Sequence, residues 1–201
     1  MTVALIDDDE AVLDSLRMAL ESRSIPVCCF TSAETFVASL DETRPRCVVS
    51  DVRMPGWSGI ELQQALKTRD ATLPLILITG HGDIPMAVNA IKEGAFDFIE
   101  KPFDYERLIE SIMKAIDYGD RAQIAQAQIV DLTQRFEELS ERQREVMDRV
   151  VEGLSNKEIA HALGISPRTV ENYRAWVMEK MGATNLADLV RKALLLSNLP
   201  R

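Results

Sequence analysis

The sequence has few of the features that mark a membrane, secreted or zinc-binding protein. None of its apolar runs approaches the roughly 18 residues of a membrane span. The first residues contain no basic segment, and they reach Asp7 too early for a signal peptide. Three cysteines within apolar segments favour buried thiols in a reducing cytosol, and two scattered histidines are too few for a zinc site. We therefore expect a cytoplasmic protein that does not enter a membrane.

Charge is distributed unevenly along the 201 residues, a length that suits two domains. The net charge of −9 argues against nucleic-acid binding when the chain is taken as a whole. However, residues 1–116 carry −8, residues 117–138 carry −3, and residues 139–201 carry +2. The C-terminal part therefore has the charge expected of a nucleic-acid-binding module attached to an acidic carrier.

Short apolar segments alternate with amphipathic segments through residues 1–116. The apolar segments are predicted strands, at residues 3–6, 27–30, 47–50, 75–78 and 98–99. Repeated strand–helix–strand units predict an α/β fold with a doubly wound, five-stranded parallel sheet. Helix starts are indicated by capping-box patterns at Thr31 to Glu34 and Ser58 to Glu61, and by Asp83 as an N-cap.

Residues 117–138 are polar and rich in Ala and Gln, which predicts a helical linker. Apolar or small residues recur there at alternating intervals of four and three, at Tyr118, Ala122, Ala125, Ile129, Leu132, Phe136 and Leu139. This seam is typical of a coiled coil. A single linker helix that packs on a neighbouring domain is the alternative, which Gly119 and the two seam alanines favour.

Residues 139–201 contain four helix signals and no strand pattern. The helix starts are marked by Ser140, Ser155, Ser166 and Asn185, and helix ends by Gly153 and Gly164. The sequence therefore predicts a small all-α, four-helix domain after the linker.

Three carboxylates and a lysine follow predicted strands of the first domain. Asp7 and Asp8 follow the first strand, Asp51 the third and Lys101 the fifth. The carboxyl ends of parallel strands converge on one crevice, so we expect these side chains to meet there. A carboxylate can attack phosphorus to form an acyl phosphate, and Asp51 is the candidate acceptor.

The other groups of this crevice suit the same chemistry. Asp7 and Asp8 are candidate ligands for Mg²⁺, which prefers hard oxygen donors and would neutralise the attacking anion. Lys101 would pair with the acceptor or the incoming phosphate, and the Thr79 hydroxyl would donate to a phosphoryl oxygen. Each acid alone is more simply explained as a cap or turn residue, but four strand ends carrying four suitable groups favour a phosphoryl-transfer site.

These motifs resemble the receiver domains of two-component response regulators, over residues 1–116. The matching strings are DD at 7–8, DVRMPG at 51–56, TGHGD at 79–83 and EKPF at 100–103. The resemblance implies a flavodoxin-like fold, phosphorylation of Asp51 by a histidine kinase, and Mg²⁺ held by Asp8, Asp51 and the backbone carbonyl of Arg53.

The receiver resemblance also implies a switch. Thr79 and Phe98 would move together on phosphorylation, and the peptide bond between Lys101 and Pro102 would be cis. Arg53 and His81 occupy positions that tune phosphoryl lifetime by analogy, and a solvated surface role is the alternative for both.

The string NKEIAHALGISPRTV at residues 156–170 has the pattern of a helix-turn-helix. Ala160 permits close helix crossing, Gly164 allows the turn, and Leu163, Ile165 and Val170 would fill the core. The string resembles the output domain of LuxR-type regulators, and together with the receiver motifs it makes the chain similar to the FixJ subfamily. No ATPase P-loop is present, which separates the chain from NtrC-type regulators.

The second helix of this motif, at residues 167–181, would place its N-terminal half in the major groove. Its helical period turns four side chains toward base edges: Arg168, Glu171, Asn172 and Ala175. Phosphate contacts are predicted for Lys157, Thr169, Arg174 and Lys180. Trp176 and Met178 are predicted to pack rather than to read bases, and Tyr173 stands where many relatives have His. The last helix, at residues 185–196, would pair two output domains or simply close the bundle.

Taken together, these features predict a transcriptional regulator, by resemblance an activator, that is not an enzyme. We expect it to homodimerise on phosphorylation, bind promoter DNA and contact RNA polymerase. One alternative is a phosphorelay or protein-interaction switch that does not act through DNA. Another is an aspartyl-phosphate phosphohydrolase, which would usually carry a second Asp where this chain has Arg53.

Overall fold

A computed structural model describes residues 2–80 and 84–197 of the chain. The predicted N-cap Asp83 and His81 lie outside the described residues. The chain divides into two compact units, Met1–Gln123 and Ile124–Arg201, and the division falls inside the segment predicted to be a linker. Among the described helices, none is both long enough and apolar enough to cross a membrane.

In the described part of the first unit, strands alternate with helices along the chain. The strands are β1 Val3–Ile6, β2 Val27–Phe30, β3 Cys47–Asp51, β4 Leu75–Thr79 and β5 Asp97–Glu100. The helices are α1 Glu10–Glu21, α2 Ala33–Thr43, α3 Gly59–Arg69 and α4 Ile84–Lys92, followed by α5, which begins at Tyr105 and continues to Glu137.

The strands form one parallel sheet in the order β2-β1-β3-β4-β5. Val3 of β1 pairs with Val27 of β2 on one side and with Cys47 of β3 on the other. The sheet therefore grows from β1 first toward β2 and then, on the opposite side, toward β3, β4 and β5. This confirms the predicted doubly wound fold. The order reverses between β1 and β3, and ligand sites of such sheets lie outside the strand ends at that point.

Apolar side chains cover both faces of the sheet. One core contains Leu16, Leu20 and Ile112, which pack against β1, β3 and β4. The other contains Phe36 and Leu62 on the opposite face. β1, β3 and β4 are buried along their whole length, which is why they appear in the sequence as continuous apolar runs.

The cysteines are free thiols, as predicted. Cys47 is completely buried in β3, and burial raises the pKa of its thiol far above the ordinary value. Cys28 and Cys29 are partly buried in β2, and burial raises the pKa of both thiols as well. Thiols that are kept protonated in this way are poor nucleophiles.

The capping boxes are confirmed in one of the two predicted places in this unit. The Ser58 hydroxyl accepts a hydrogen bond from the Glu61 backbone N–H, and the Glu61 carboxylate accepts one from the Ser58 backbone N–H. The box predicted at Thr31 and Glu34 is wrong. Ser32 caps α2 instead, and the Glu34 carboxylate accepts a hydrogen bond from the backbone N–H of Trp57, 23 residues along the chain.

The second unit is helical throughout its described residues. After the end of α5 it contains α6 Glu141–Val151, α7 Asn156–Leu163, α8 Pro167–Lys180 and α9 Leu186–Ser197. The predicted starts are confirmed: Ser140 and Ser155 form capping boxes, Ser166 caps α8 ahead of a first-turn proline, and the Asn185 side chain accepts from the Asp188 backbone N–H. Gly164 ends α7 at a φ of 64°.

The predicted seam divides into two parts. Leu132, Phe136 and Leu139 pack into the core of the second unit with Val146 and Val177. Upstream, the side chains of Tyr118 and Ala125 are exposed. A pairing helix from a second chain would therefore not find the complete seam free. The second half of the seam packs as expected for the alternative to a coiled coil, in which a single linker helix packs on a domain of its own chain.

Candidate functional site

Lys101 joins two of the predicted carboxylates at the carboxyl ends of the strands. Its Nζ lies 2.6 Å from Asp51 Oδ1 and 2.9 Å from Asp7 Oδ2. Asp51 is the last residue of β3, Asp7 follows β1, and Lys101 follows β5. The strand ends thus bring together three groups that are 44 to 94 residues apart in sequence, as the parallel topology predicts.

Backbone groups fix both carboxylates. The Arg53 N–H donates to Asp51 Oδ2 at 2.6 Å, and the Asp9 N–H donates to Asp7 Oδ1 at 3.0 Å. Hydrogen bonds from backbone donors leave a carboxylate little rotational freedom. The oxygen atoms of Asp51 are therefore held in a defined direction, between Lys101 on one side and the loop after β3 on the other.

Thr79 lies beside Lys101 at the end of β4. Its carbonyl accepts a hydrogen bond from the Lys101 backbone N–H at 2.7 Å, and the residue is only 1% exposed. The ring of Phe98, in β5, is partly buried and packs against the core that contains Leu62 and Leu77. The peptide bond between Lys101 and Pro102 is cis, as the receiver resemblance implied.

The electrostatics of the site favour a cation. Burial raises the pKa of Asp7 despite its hydrogen bonds to the Asp9 backbone and to Lys101. Burial alone would lower the pKa of Lys101, but hydrogen bonds to Asp51 and Asp7 outweigh burial and raise it. Lys101 is thus held as an ammonium group. Asp7 and Asp51 thus place two carboxylates against a single ammonium.

The structure does not gather Asp8 with the other two carboxylates. The side chain of Asp8 is exposed, and within residues 2–80 and 84–197 no group of three His, Cys, Asp or Glu side chains is close enough to hold a metal ion. Mg²⁺ does not need such a cage, because it keeps several waters and takes one or two carboxylates. The hard oxygen donors and excess negative charge around Asp7 and Asp51 therefore fit a divalent cation.

The helix-turn-helix is formed by α7 and α8. Val170, Val177 and Met181 are completely or almost completely buried and hold α8 on the core of the second unit. The four side chains predicted to face base edges are exposed: Arg168, Glu171, Asn172 and Ala175. Arg168 and Glu171 form an ion pair of 3.1 Å on this surface.

Among the predicted phosphate contacts, Lys157 is exposed at the start of α7. The others already make hydrogen bonds within the unit. Thr169 Oγ1 is 2.8 Å from Ser166 Oγ, and Arg174 donates to Asn156 Oδ1 at 3.1 Å. Lys180 Nζ donates to the Glu138 carbonyl and to Gln143 Oε1, which leaves one of its three ammonium hydrogens for another acceptor.

Trp176 packs on a neighbouring aromatic ring rather than in the core. Its side chain is 48% exposed, and it makes an edge-to-face ring contact with Tyr173 at 5.5 Å. Met178 does pack against the core, as predicted. Trp176 lies near the border of the buried face of α8, where the partly buried ring of Tyr173 occupies the space next to the core.

The last helix closes the bundle, and its role in pairing two output domains stays a prediction. Leu189 of α9 is buried in the core of the second unit and closes the bundle. Three other leucines of the helix are about half exposed: Leu186, Leu194 and Leu195. Apolar surface of this kind on a helix is typical of a protein–protein contact.

Comparisons with known proteins agree with this architecture. Residues 3–113 match the response regulator receiver domain, and residues 137–193 match the luxR family of bacterial regulatory proteins. The transcriptional regulatory protein FixJ of Bradyrhizobium diazoefficiens is 47% identical over 192 residues, which cover 96% of this chain and 94% of that protein.

Solved structures show the same similarity. That of the response regulator StyR has a TM-score of 0.79 at 38% identity and covers 96% of this chain and 98% of StyR. The structure of full-length FixJ from B. japonicum has a TM-score of 0.60 at 46% identity, and the match covers 99% of this chain and 98% of that one.

The chain belongs to the two-component response regulators that combine a receiver domain with a LuxR-type DNA-binding domain, and within them to the FixJ-like group. It is accordingly a DNA-binding transcriptional regulator and not an enzyme. Membership implies a histidine kinase as partner and DNA as target, and receiver domains generally use Mg²⁺ for phosphotransfer. The family, fold class and general function predicted from the sequence are thereby confirmed.

Proposed function

We propose that a histidine kinase phosphorylates Asp51, and that the phosphorylated chain dimerises, binds promoter DNA and activates transcription. The observation that carries this proposal is the setting of Asp51. Its carboxylate is buried at the end of β3, with Lys101 Nζ at 2.6 Å and the Arg53 N–H at 2.6 Å. The domain limits that go with the proposal are 1–116 for the receiver, 117–138 for the linker and 139–201 for the output domain.

In the proposed reaction, an oxygen of Asp51 forms a bond to the phosphorus atom while the bond from phosphorus to the kinase histidine nitrogen breaks. The leaving nitrogen keeps the electron pair of that bond. The Arg53 N–H keeps the carboxylate in one orientation, and Lys101 neutralises part of the negative charge that accumulates. The Thr79 hydroxyl donates a hydrogen bond to an oxygen of the transferred group.

Asp7, Asp8, Asp51 and the carbonyl of Arg53 are the groups that would hold Mg²⁺. The ion, when bound, supplies the positive charge that lets one anion approach another. Lys101 contributes a single charge against the carboxylates of Asp7 and Asp51, so it cannot supply this neutralisation alone.

The switch that follows phosphorylation is proposed to couple Thr79 to Phe98. When the Thr79 hydroxyl moves toward a phosphoryl oxygen, the Thr79 side chain leaves space beside β5. The partly buried ring of Phe98 then moves into this space. The protein partners proposed with this switch are a second copy of the chain and RNA polymerase. A cytoplasmic location fits the free thiols of the receiver.

Sedimentation velocity with Mg²⁺, with and without beryllofluoride as a phosphoryl mimic, tests the dimerisation step. We expect a monomer without beryllofluoride and a dimer with it. A dimer under both conditions would contradict phosphorylation-dependent dimerisation, and so would a monomer under both. The second result would favour release of the output domain within one chain.

Substitution of the exposed side chains of α8 tests the DNA interface. Arg168→Ala and Asn172→Ala should each weaken binding to a duplex selected from a random pool by about 1–3 kcal/mol, or roughly 5-fold to 150-fold, if each contacts a base edge. Binding is measured by fluorescence anisotropy with beryllofluoride and Mg²⁺ present. Phosphorylation should be unchanged, because both residues lie in the second unit.

Arg149→Ala is the matched control for charge. Arg149 lies on α6 of the same unit, its side chain is 45% exposed, and it pairs with Glu152 at 2.9 Å. Its loss should have little effect on affinity at physiological salt. If Arg168→Ala and Asn172→Ala bind the selected duplex as well as the unmodified chain, the assignment of base contacts is wrong, and selection of no duplex at all would favour the protein-interaction switch.

A further inference from the structure

Glu34 connects the start of α2 to the loop that follows Asp51. Its Oε1 accepts a hydrogen bond from the Trp57 backbone N–H at 2.8 Å. Gly56, directly before Trp57, has a φ of +76°, and a Cβ at Gly56 would lie 2.3 Å from Glu34 Oε1. The carboxylate therefore lies directly against the backbone of residues 56 and 57, in space that only glycine leaves open.

The partly buried position of the Glu34 carboxylate should lower the stability of the folded protein. Glu34 Oε2 is buried and finds no hydrogen-bond partner among the described residues. A buried carboxylate oxygen without a partner normally destabilises a protein, so it needs an explanation. In the predicted capping box, Glu34 would instead have satisfied the start of α2. Ser32 has taken over that role, which frees Glu34 for the loop.

The loop held by Glu34 is also held by Asp51. At its beginning the Arg53 N–H donates to Asp51 Oδ2, and at its end the Trp57 N–H donates to Glu34. Only Met54, Pro55 and Gly56 lie between these two anchors. A loop fixed at both ends by carboxylates cannot easily rotate its peptide groups. The direction of the Arg53 carbonyl, which follows directly after the first anchor, is therefore coupled to the second.

We propose that Glu34 is a positioning residue that holds the 53–57 loop so that the Arg53 backbone faces the acceptor carboxylate, and thereby sets the affinity of the site for its divalent cation. This inference rests on the proposed role of Asp51 and of the Arg53 carbonyl. Glu34, which lies outside the crevice, would then determine the Mg²⁺ concentration that the receiver needs for phosphorylation.

A titration with MgCl₂ alone tests the proposal. Trp57 lies in the loop itself, so its fluorescence is the readout, in a Trp176→Phe background that removes the other tryptophan. Glu34→Ala should raise the Kd for Mg²⁺ about tenfold, as expected when one charge-assisted hydrogen bond is lost. Glu34→Gln should stay within about twofold of the unmodified chain, because its amide oxygen can accept from the same N–H.

Glu42→Ala is the matched control, since Glu42 is an exposed glutamate of the same helix. It should leave the Kd for Mg²⁺ unchanged, which separates loop positioning from the general loss of one negative charge. Melting temperatures in EDTA show how far each variant remains folded. If Glu34→Ala binds Mg²⁺ as the unmodified chain does, or if Glu42→Ala weakens binding equally, the proposal is wrong.

Phosphorylation by acetyl phosphate gives a second readout. Glu34→Ala should shift the Mg²⁺ concentration for half-maximal rate upward about tenfold, and the rate at saturating Mg²⁺ should fall less than about twofold. A purely structural role would lower the maximal rate without this shift. If the unmodified chain is not phosphorylated, or if Asp51→Asn still is, the proposed function fails rather than the role of Glu34.

Gly56→Ala provides a double-mutant cycle. The new Cβ would collide with Glu34 Oε1 and would also strain a backbone of positive φ. It should weaken Mg²⁺ binding in the unmodified chain, and less so in the Glu34→Ala background, where the collision is absent. Equal effects of Gly56→Ala in both backgrounds would mean that the carboxylate does not control the loop.

Discussion

Asp51→Asn is expected to abolish phosphorylation of the chain completely. Asparagine has nearly the same shape as aspartate, and its one amide oxygen can still accept from Lys101 or from the Arg53 N–H. Its amide cannot form an acyl phosphate. Incubation with acetyl phosphate and Mg²⁺, followed by intact mass spectrometry, should show one phosphoryl group on the unmodified chain and none on the variant. The dimer induced by beryllofluoride should disappear with it.

Two comparisons make this result specific. Asp41→Asn changes an exposed aspartate of α2 in the same unit and should be phosphorylated normally. Asp7→Asn keeps the acceptor but removes a carboxylate that Lys101 bridges, so it should slow phosphorylation without preventing it at high Mg²⁺. Phosphate on Asp51→Asn at the level of the unmodified chain would show that another residue is the acceptor.

The sheet was predictable because each of its strands contains a short run of apolar residues. β1 and β2 have the predicted ends, and β3 and β4 each extend one residue further, to Asp51 and Thr79. β5 gains Asp97 and Glu100, whose polar side chains interrupt the apolar pattern although their backbones pair with β4. Pairing through the backbone is independent of side-chain polarity, so periodicity underestimates the ends of such strands.

The core of the candidate site was predictable from topology alone. Parallel strands that alternate with helices place all their carboxyl ends on one edge, so the order of Asp7, Asp51 and Lys101 in the chain implied their meeting. Asp8 shows the limit of this reasoning. A strand end places a backbone, but a residue one position further turns its side chain another way, and Asp8 is exposed.

Glu34 was mispredicted because a local pattern competed with a tertiary contact. The spacing from Thr31 to Glu34 satisfies a capping box, yet the acceptor that α2 uses is Ser32, and Glu34 binds a loop that is distant in sequence. For Trp176 the sequence predicted packing rather than base contact, and its ring does contact Tyr173 while remaining 48% exposed.

Leu132→Ala is expected to destabilise the second unit by about 2–5 kcal/mol, the range for removing a buried leucine side chain. Leu132 is 6% exposed and packs with Leu139, Val146 and Val177. Alanine is a better helix former than leucine, so the loss would come from packing alone. Urea unfolding, followed by Trp176 fluorescence in a Trp57→Phe background, measures the free energy of unfolding of this unit.

Ile124→Ala is the control for an exposed apolar side chain of α5 outside the seam. Ile124 lies on the same helix but is 60% exposed, so its replacement should change the free energy of unfolding by less than about 0.5 kcal/mol. If α5 instead paired with a second chain along its exposed side, Ile124→Ala would matter, and unfolding midpoints would rise with protein concentration. A large, concentration-independent effect confined to Leu132 would mean that this part of the seam stabilises a single output domain, and that dimerisation must use another surface.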